Sequence, residues 1–192
     1  MSRNRVLLTA AACAVAALTG ACSGAATDTT TAVEPPAASA TSAAVPPTGV
    51  PAGFEGDAAV TAVHAYLREQ ALAVNAGVAD PARLPGFTAT LTPAGQEWAV
   101  PLLAANLGDW MPGPYPVGVL ASTRVGDDRV ELALCLQDRG WQVERSTGRA
   151  LNAPHHATAR AVVLRVGERW LVDDVAADGG ECTAADVVEE RF

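Results

Sequence analysis

The apolar residues of this chain change their spacing once, close to residue 117. Before that point they recur every three or four residues, as on one side of an α-helix. After it they alternate with polar residues, as on one face of a β-strand. The first series comprises Val60, Val63, Leu67, Ala71 and Val74, and the second comprises Val130, Leu132, Leu134 and Leu136. This order predicts an α+β domain with its helices first and an antiparallel sheet after them.

Two N-terminal helices are predicted, each with its own start signal. Asp57 is a suitable N-cap for the first helix, which is expected to end at Gly77. Thr92 followed by Pro93 begins the second helix, because proline suits the first helical position. Pro101 is expected to kink or divide that second helix.

The second half of the chain is expected to form antiparallel strands. The predicted strands cover residues 117–125, 130–136, a shorter stretch around Trp141–Glu144, and residues 158–166 and 169–175. Gly167–Glu168 is a suitable two-residue hairpin turn between the last two strands. Gly179–Gly180 is expected to end the sheet, and a short C-terminal helix is expected from Thr183.

The first 21 residues (1–21) have the composition of a signal peptide. A basic start with Arg3 and Arg5 precedes an apolar run, residues 6–18, and small residues lead to Cys22. The run is shorter than the roughly 20 apolar residues that cross a bilayer. The stretch before Cys22 resembles the lipobox of diacylglyceryl-modified bacterial lipoproteins, although Thr19 stands where that family prefers leucine.

The lipobox resemblance implies cleavage before Cys22 and attachment of fatty acyl chains, such as palmitate, to that residue. Two or three acyl chains anchor a protein stably, whereas one gives reversible binding. The expected location is the extracytoplasmic face of the cell membrane, with a lipid anchor and no spanning segment. The alternative is ordinary signal-peptide cleavage after Ala21, which would release a free secreted product.

Residues 22–53 are expected to form a disordered tether, and residues 54–192 one domain. The tether consists mostly of Ala, Thr, Ser and Pro, so it has little apolar surface to offset the entropy of ordering. Removing Arg3 and Arg5 with the leader leaves 11 of the 13 basic residues against 21 acidic ones, a formal charge of −10. That charge argues against nucleic acid as a partner, because such binding depends on Lys and Arg contacts to phosphates.

Two cysteines remain in the domain, Cys135 and Cys182. Because the expected location is oxidising, the default prediction is one disulfide between them. It would lie on the strand face opposite the leucines and tie the C-terminal segment to the sheet. Closing a loop of roughly 46 residues would contribute about 4 kcal/mol in the chain-entropy model. Without a CxxC motif the bond would be structural; the alternative is two separate buried thiols.

One set of motifs links this domain to a known family. The motifs are Leu91–Trp98, Asn106 with Gly108, Cys135–Asp138, Gly167–Asp174 and Gly179–Cys182. Together, over roughly Asp57 to Cys182, they resemble small actinobacterial lipoproteins with an NTF2-like domain, the SnoaL and ketosteroid-isomerase fold. The resemblance implies an NTF2-like cone: two N-terminal helices packed on a curved antiparallel sheet around a pocket, with a short C-terminal helix. It also implies a homodimer as one option, and it does not choose between binding, scaffold and enzyme roles.

The sharpest catalytic hypothesis joins His64 to a carboxylate on the last strand. His64 lies on the apolar stripe of the first helix, and alternation along the strand sends either Asp173 or Asp174 inward. A desolvated aspartate near a histidine could act as general base. The preferred interpretation is structural, with His64 as a hydrogen-bonded packing residue and the aspartates as caps or partners of arginine. No catalytic residue is therefore assigned, and these three remain candidates.

Metal and cofactor sites are not predicted. His155–His156 is expected in a loop without a third ligand, and no nucleotide-binding loop or nucleophile elbow is present in the sequence. The expected function is that of a cell-envelope lipoprotein acting as a non-catalytic binding or scaffold module, with a small apolar ligand or another envelope protein as its partner. The alternative is a SnoaL-like or isomerase-like enzyme acting on a small apolar substrate.

Overall fold

The computed structural model describes Phe54 and residues 56–192. The predicted signal peptide (1–21), the tether (22–53) and the lipid-bearing Cys22 lie outside the described residues.

The first helix, α1, spans Ala58–Ala76 and has both of its predicted ends. Asp57 caps its start, because Oδ1 accepts hydrogen bonds from the backbone N–H groups of Ala59 and Val60 at 2.8 and 3.2 Å. Gly77 ends it with a φ of 67°, a left-handed conformation that glycine adopts without a Cβ clash. The predicted apolar stripe is the buried side of this helix.

A helix that the sequence did not predict, α2, spans Pro85–Thr88. It follows a single 3-10 turn, Pro81–Arg83, in a segment rich in proline and glycine. Each of these short elements has proline in its first turn, where the missing N–H costs no hydrogen bond. Phe87 of α2 is buried, so this segment contributes to the core.

The helix α3 spans Pro93–Ala105 and begins where predicted. The Thr92 hydroxyl accepts a hydrogen bond from the Gly95 N–H at 3.0 Å, as an N-cap does. Pro101 lies inside α3 and does not divide it, so that option of the prediction was wrong. Leu103, fully buried, holds the last turn of α3 against the core beyond the proline.

Four antiparallel strands follow the helices and pair in chain order. They are β1 (Val117–Arg124), β2 (Arg129–Arg139), β3 (His155–Val166) and β4 (Arg169–Glu181). The turn at Gly167–Glu168 joins β3 to β4 as predicted, with φ of 63° at Gly167. Leu132 and Leu134 of β2 face the core, and Cys135, the residue after Leu134, faces the other side of the sheet.

The stretch around Trp141–Glu144 does not add a strand to the sheet, and that prediction was wrong. Val143 makes only isolated bridges, one to Trp110 in the segment after α3 and one to Ala150. The backbone groups of this stretch therefore find partners in other loops, and the sheet passes directly from β2 to β3.

The end of the chain also differs from its prediction. Gly179 does not end β4, because Glu181 is still paired with Ala157 of β3. The expected C-terminal helix is a three-residue 3-10 turn, Ala184–Asp186. Cross-strand pairing thus extends β4 through glycines that are breakers by local propensity alone.

The prediction of an NTF2-like cone was wrong. The described residues form three helices, all N-terminal to one four-stranded meander, and they do not form the cone layout. Two of its assumptions fail: a third helix lies before the sheet, and the stretch around Trp141 stays outside it. The space between helices and sheet is occupied by side chains that are 2% exposed or less. They include Val60, Val63, Phe87, Leu103, Met111, Leu132, Leu134, Val163 and Val172.

Candidate functional site

His64, the candidate base, lies on α1 and is partly buried. Its Nε2 atom is closed off from solvent and has no hydrogen-bond partner among the described residues. Burial lowers the pKa of the imidazole below its ordinary value of 6.5, and the charge of Glu190 opposes part of that shift. The preferred prediction from the sequence was that His64 is a hydrogen-bonded packing residue. Its Nε2 atom forms no such bond with the described residues.

Asp173, the first candidate carboxylate, connects β4 to the start of α3. Its Oδ1 accepts a hydrogen bond from the Thr92 hydroxyl at 2.6 Å. Its backbone carbonyl accepts one from the indole N–H of Trp98 at 2.9 Å. The backbone N–H of Thr92 also donates to the Val172 carbonyl at 3.0 Å. These bonds fasten α3 to β4, so the structure places Asp173 in a tertiary joint.

Asp174, the second candidate carboxylate, faces the other side of the sheet. Its Oδ2 lies 3.9 Å from Nη2 of Arg160, whose Nη1 is 3.6 Å from Oε2 of Glu131. The Asp174 side chain is 38% exposed, and ion pairs at such exposure contribute about 0–1 kcal/mol each. Asp174 is therefore part of a solvated charge cluster on the outer face.

The structure does not bring the three candidates into one site. Neither aspartate is a hydrogen-bond partner of His64, and the charge that acts on His64 is that of Glu190, near the C terminus. His155 begins β3, where a loop was predicted, and its Nδ1 lies 2.6 Å from Oδ1 of Asp138. Across residues 56–192, no three His, Cys, Asp or Glu side chains cluster as metal ligands would.

The predicted disulfide is present. Cys135 and Cys182 are bonded with their Cα atoms 5.9 Å apart. Cys135 is fully buried on the outer face of β2, and its sulfur lies 3.7 Å from the Thr183 carbonyl oxygen. The bond ties the residue immediately before the last ten (183–192) to β2, an inner strand of the sheet.

Those last residues, 183–192, form a C-terminal arm that the sequence reading missed. Val188 bridges to Val117 at the edge of the sheet, and the N–H of Phe192 donates to the Pro112 carbonyl at 2.9 Å. The backbone of the arm lies directly on Gly118, where a Cβ would overlap the Asp186 carbonyl oxygen. Glycine at that position was the available signal, because a side chain there would exclude the arm.

Side-chain contacts fix the far end of the C-terminal arm. Glu190 forms an ion pair with Arg68 of α1 at 2.5 Å. The guanidinium of Arg191 stacks over the ring of Trp141, 4.6 Å from its centroid. The Trp141 indole N–H donates to the Gly113 carbonyl at 2.9 Å. The arm is thereby held to both the helical layer and the loop after β2.

A cleft of about 350 Å³ lies between the C-terminal arm and the neighbouring ends of β2 and β3. Its walls are Gln137, Gly140, Trp141, Pro154, His156, Ala184, Val187, Glu189 and Arg191. Gln137 is 7% exposed, one of the few buried polar residues. One signal of this site is present in the sequence, because Gln137 lies two residues after Cys135 and therefore on the same strand face.

Comparisons with known proteins leave the family open. No protein-family model matches the chain, and no curated protein matches it. Among solved structures, the crystal structure of the intermembrane space region of the chloroplast protein ARC6 is similar at 14% identity and a TM-score of 0.45. The match covers 62% of this chain and 93% of that one. A likeness at this level carries no argument about fold family or function.

None of the helices in the described part of the chain combines the length and apolar character needed to cross a membrane.

Proposed function

We propose that this protein is an extracytoplasmic bacterial lipoprotein, anchored through acyl chains on Cys22, whose domain binds a small molecule or an envelope protein without catalysis. The Cys135–Cys182 disulfide supports export, because disulfides persist in oxidising compartments. The observation that carries the non-catalytic part is the use of Asp173 and Asp174 in structural pairs. Neither aspartate forms the hydrogen bond to His64 on which the acid–base hypothesis depends.

One observation favours the alternative, an enzyme acting on a small apolar substrate. The unpartnered Nε2 of His64 is unusual, because most buried polar atoms form a hydrogen bond and exceptions often have a chemical role. The core side chains around α1, however, are closely packed and occupy the space where a substrate would lie. The binding role therefore agrees better with the described residues.

Cell fractionation tests the anchor. The wild-type chain, expressed in a bacterium that processes lipoproteins, is expected in the membrane fraction and to partition into detergent. The Cys22→Ala chain is expected to lose lipid-dependent partitioning. A wild-type chain recovered in the soluble exported fraction would contradict the proposal.

Proton exchange tests the absence of catalysis. The full chain is incubated in deuterated buffer with an apolar β,γ-unsaturated ketone, and exchange and isomerisation are followed by NMR. We expect the wild-type rate to equal those of His64→Ala and Asp174→Asn and of buffer alone. A wild-type rate well above buffer that falls in both variants would establish the enzyme instead.

A further inference from the structure

The cleft beneath the C-terminal arm has the dimensions of a small-ligand site. Its volume of about 350 Å³ lies at the lower end of the about 300–1,000 Å³ range of such sites, which suits one or two sugar-sized rings. One wall is formed by the neighbouring ends of β2 and β3, and the other by the arm. The Cys135–Cys182 bond joins these walls two residues before Gln137 and Ala184, so the spacing of the walls is fixed covalently.

The side-chain amide of Gln137 is a buried polar group in the lining of this cleft. Its residue is 7% exposed, and its backbone N–H donates to the Pro116 carbonyl at 3.0 Å. Its side-chain amide forms no hydrogen bond with another described residue, although an amide offers two donors and a carbonyl oxygen. Among the described residues, His64 Nε2 is the one side-chain polar atom that has neither a hydrogen-bond partner nor exposure to solvent. The Gln137 amide therefore keeps some exposure, and Gln137 is part of the cleft lining. A ligand in the cleft would satisfy it.

The charges around the cleft cancel. Nη2 of Arg191 lies 3.2 Å from Oε2 of Glu189, so an anion would meet the glutamate and a cation the arginine. Together with Gln137 and His156, this pair offers donors and acceptors side by side. The lining of the cleft also includes apolar side chains, among them Pro154 and Val187.

We propose that this cleft binds a neutral, polyhydroxylated ligand, a saccharide unit. Hydroxyl groups both donate and accept, so they match interleaved donors and acceptors that carry no net charge. The C–H faces of a sugar ring match the apolar surface at Pro154 and Val187. This inference rests on the binding function proposed above and replaces the apolar ligand with a polar one.

Binding is tested on the full chain purified in detergent, by saturation-transfer NMR and calorimetry. The probes are cellobiose, maltose and N,N′-diacetylchitobiose as soluble sugars, and insoluble cellulose, chitin and purified cell-wall glycan as polymers. We expect one or more soluble probes to bind at millimolar or lower concentration. Retention on a polymer as well identifies a wall glycan as the source, whereas soluble binding alone identifies a free sugar.

Two variants locate the binding site. Gln137→Met preserves the side-chain volume and removes the amide, so we expect about tenfold weaker binding from the loss of one or two buried hydrogen bonds. The matched change Gln96→Met on α3, outside the cleft, should leave affinity unchanged. Circular dichroism confirms that each variant is folded, and Arg191→Gln is a second cleft variant if Gln137→Met is not.

Three results would overturn the saccharide site. They are no binding of any probe by the folded wild-type chain, equal affinity in the wild type and both cleft variants, and competition by a charged small molecule such as citrate or spermidine. Each leaves the lipid anchor and the absence of catalysis standing, since these have separate tests. Turnover of a ketone substrate would instead contradict the proposed function.

Discussion

At the scale of single residues, His64 couples stability to pH. Its pKa is lowered by burial in the folded state, so between that value and 6.5 the unfolded chain binds more protons than the folded one. Folding stability is therefore expected to fall as pH drops through 6.5 towards the folded pKa, and to hold above it. Urea unfolding at a series of pH values from about 7.5 to 5 measures this dependence.

Replacing His64 isolates its contribution. His64→Leu removes both the titration and the unpartnered Nε2, whose burial costs about 1–3 kcal/mol, so at pH 7.5 the variant is expected to be as stable as the wild type or more so. His64→Gln keeps polarity without titrating near neutral pH. Both variants should show a flatter loss of stability towards pH 5, and an unchanged slope in both would refute the role of His64.

Thr92 is the residue on which the joint between α3 and β4 depends. Its hydroxyl caps α3 and donates to Asp173, so Thr92→Val removes a cap and leaves the carboxylate without that donor. We expect a loss of about 1–3 kcal/mol in the free energy of unfolding. Thr123→Val on the exposed part of β1 is the control, with an expected change within about 0.5 kcal/mol. Equal effects of the two substitutions would show that the joint contributes nothing.

At the scale of elements, the disulfide determines whether the C-terminal arm stays on the sheet. The sequence separation of 47 corresponds to about 4 kcal/mol of stabilisation in the chain-entropy model. The double variant Cys135→Ala, Cys182→Ala is expected to lose about that amount. Hydrogen exchange should be faster in the double variant than in the wild type, and the increase should be larger in residues 183–192 than in β2 and β3. Wild type under reducing conditions should match the variant, and undiminished stability of both would contradict this role.

The elements that the sequence predicted correctly depend on nearby residues. The cap at Asp57, the end at Gly77 and the turn at Gly167 each depend on contacts within about four positions. The predictions that were wrong involve pairings between residues far apart in the sequence. Ala157 pairs with Glu181, so β4 continues past its glycines, and Val143 bridges to Trp110 instead of joining the sheet. The hypothesis that groups His64 with an aspartate was wrong for the same reason. The alternation of residues along a strand does not show that Thr92 donates a hydrogen bond to Asp173.

At the scale of the whole molecule, the residues with functional potential lie away from the space between helices and sheet. That space is filled by apolar side chains, whereas the cleft beside Gln137 opens between the sheet and the arm. The disulfide lies beside the cleft and joins β2 to the residue before the arm, and disulfides persist in oxidising compartments such as the one that the proposed export would reach. The anchor, the disulfide and the cleft therefore form one consistent proposal for a binding protein at the outer surface of a membrane.

Mass spectrometry of the intact protein, extracted from the membranes of a bacterium that processes lipoproteins, tests the anchor most directly. We predict a chain beginning at Cys22 that carries the added mass of two or three acyl chains, with Cys135 and Cys182 oxidised. The Cys22→Ala chain should lack the acyl mass. A wild-type chain that begins at Cys22 or elsewhere without acyl mass would contradict the lipoprotein proposal.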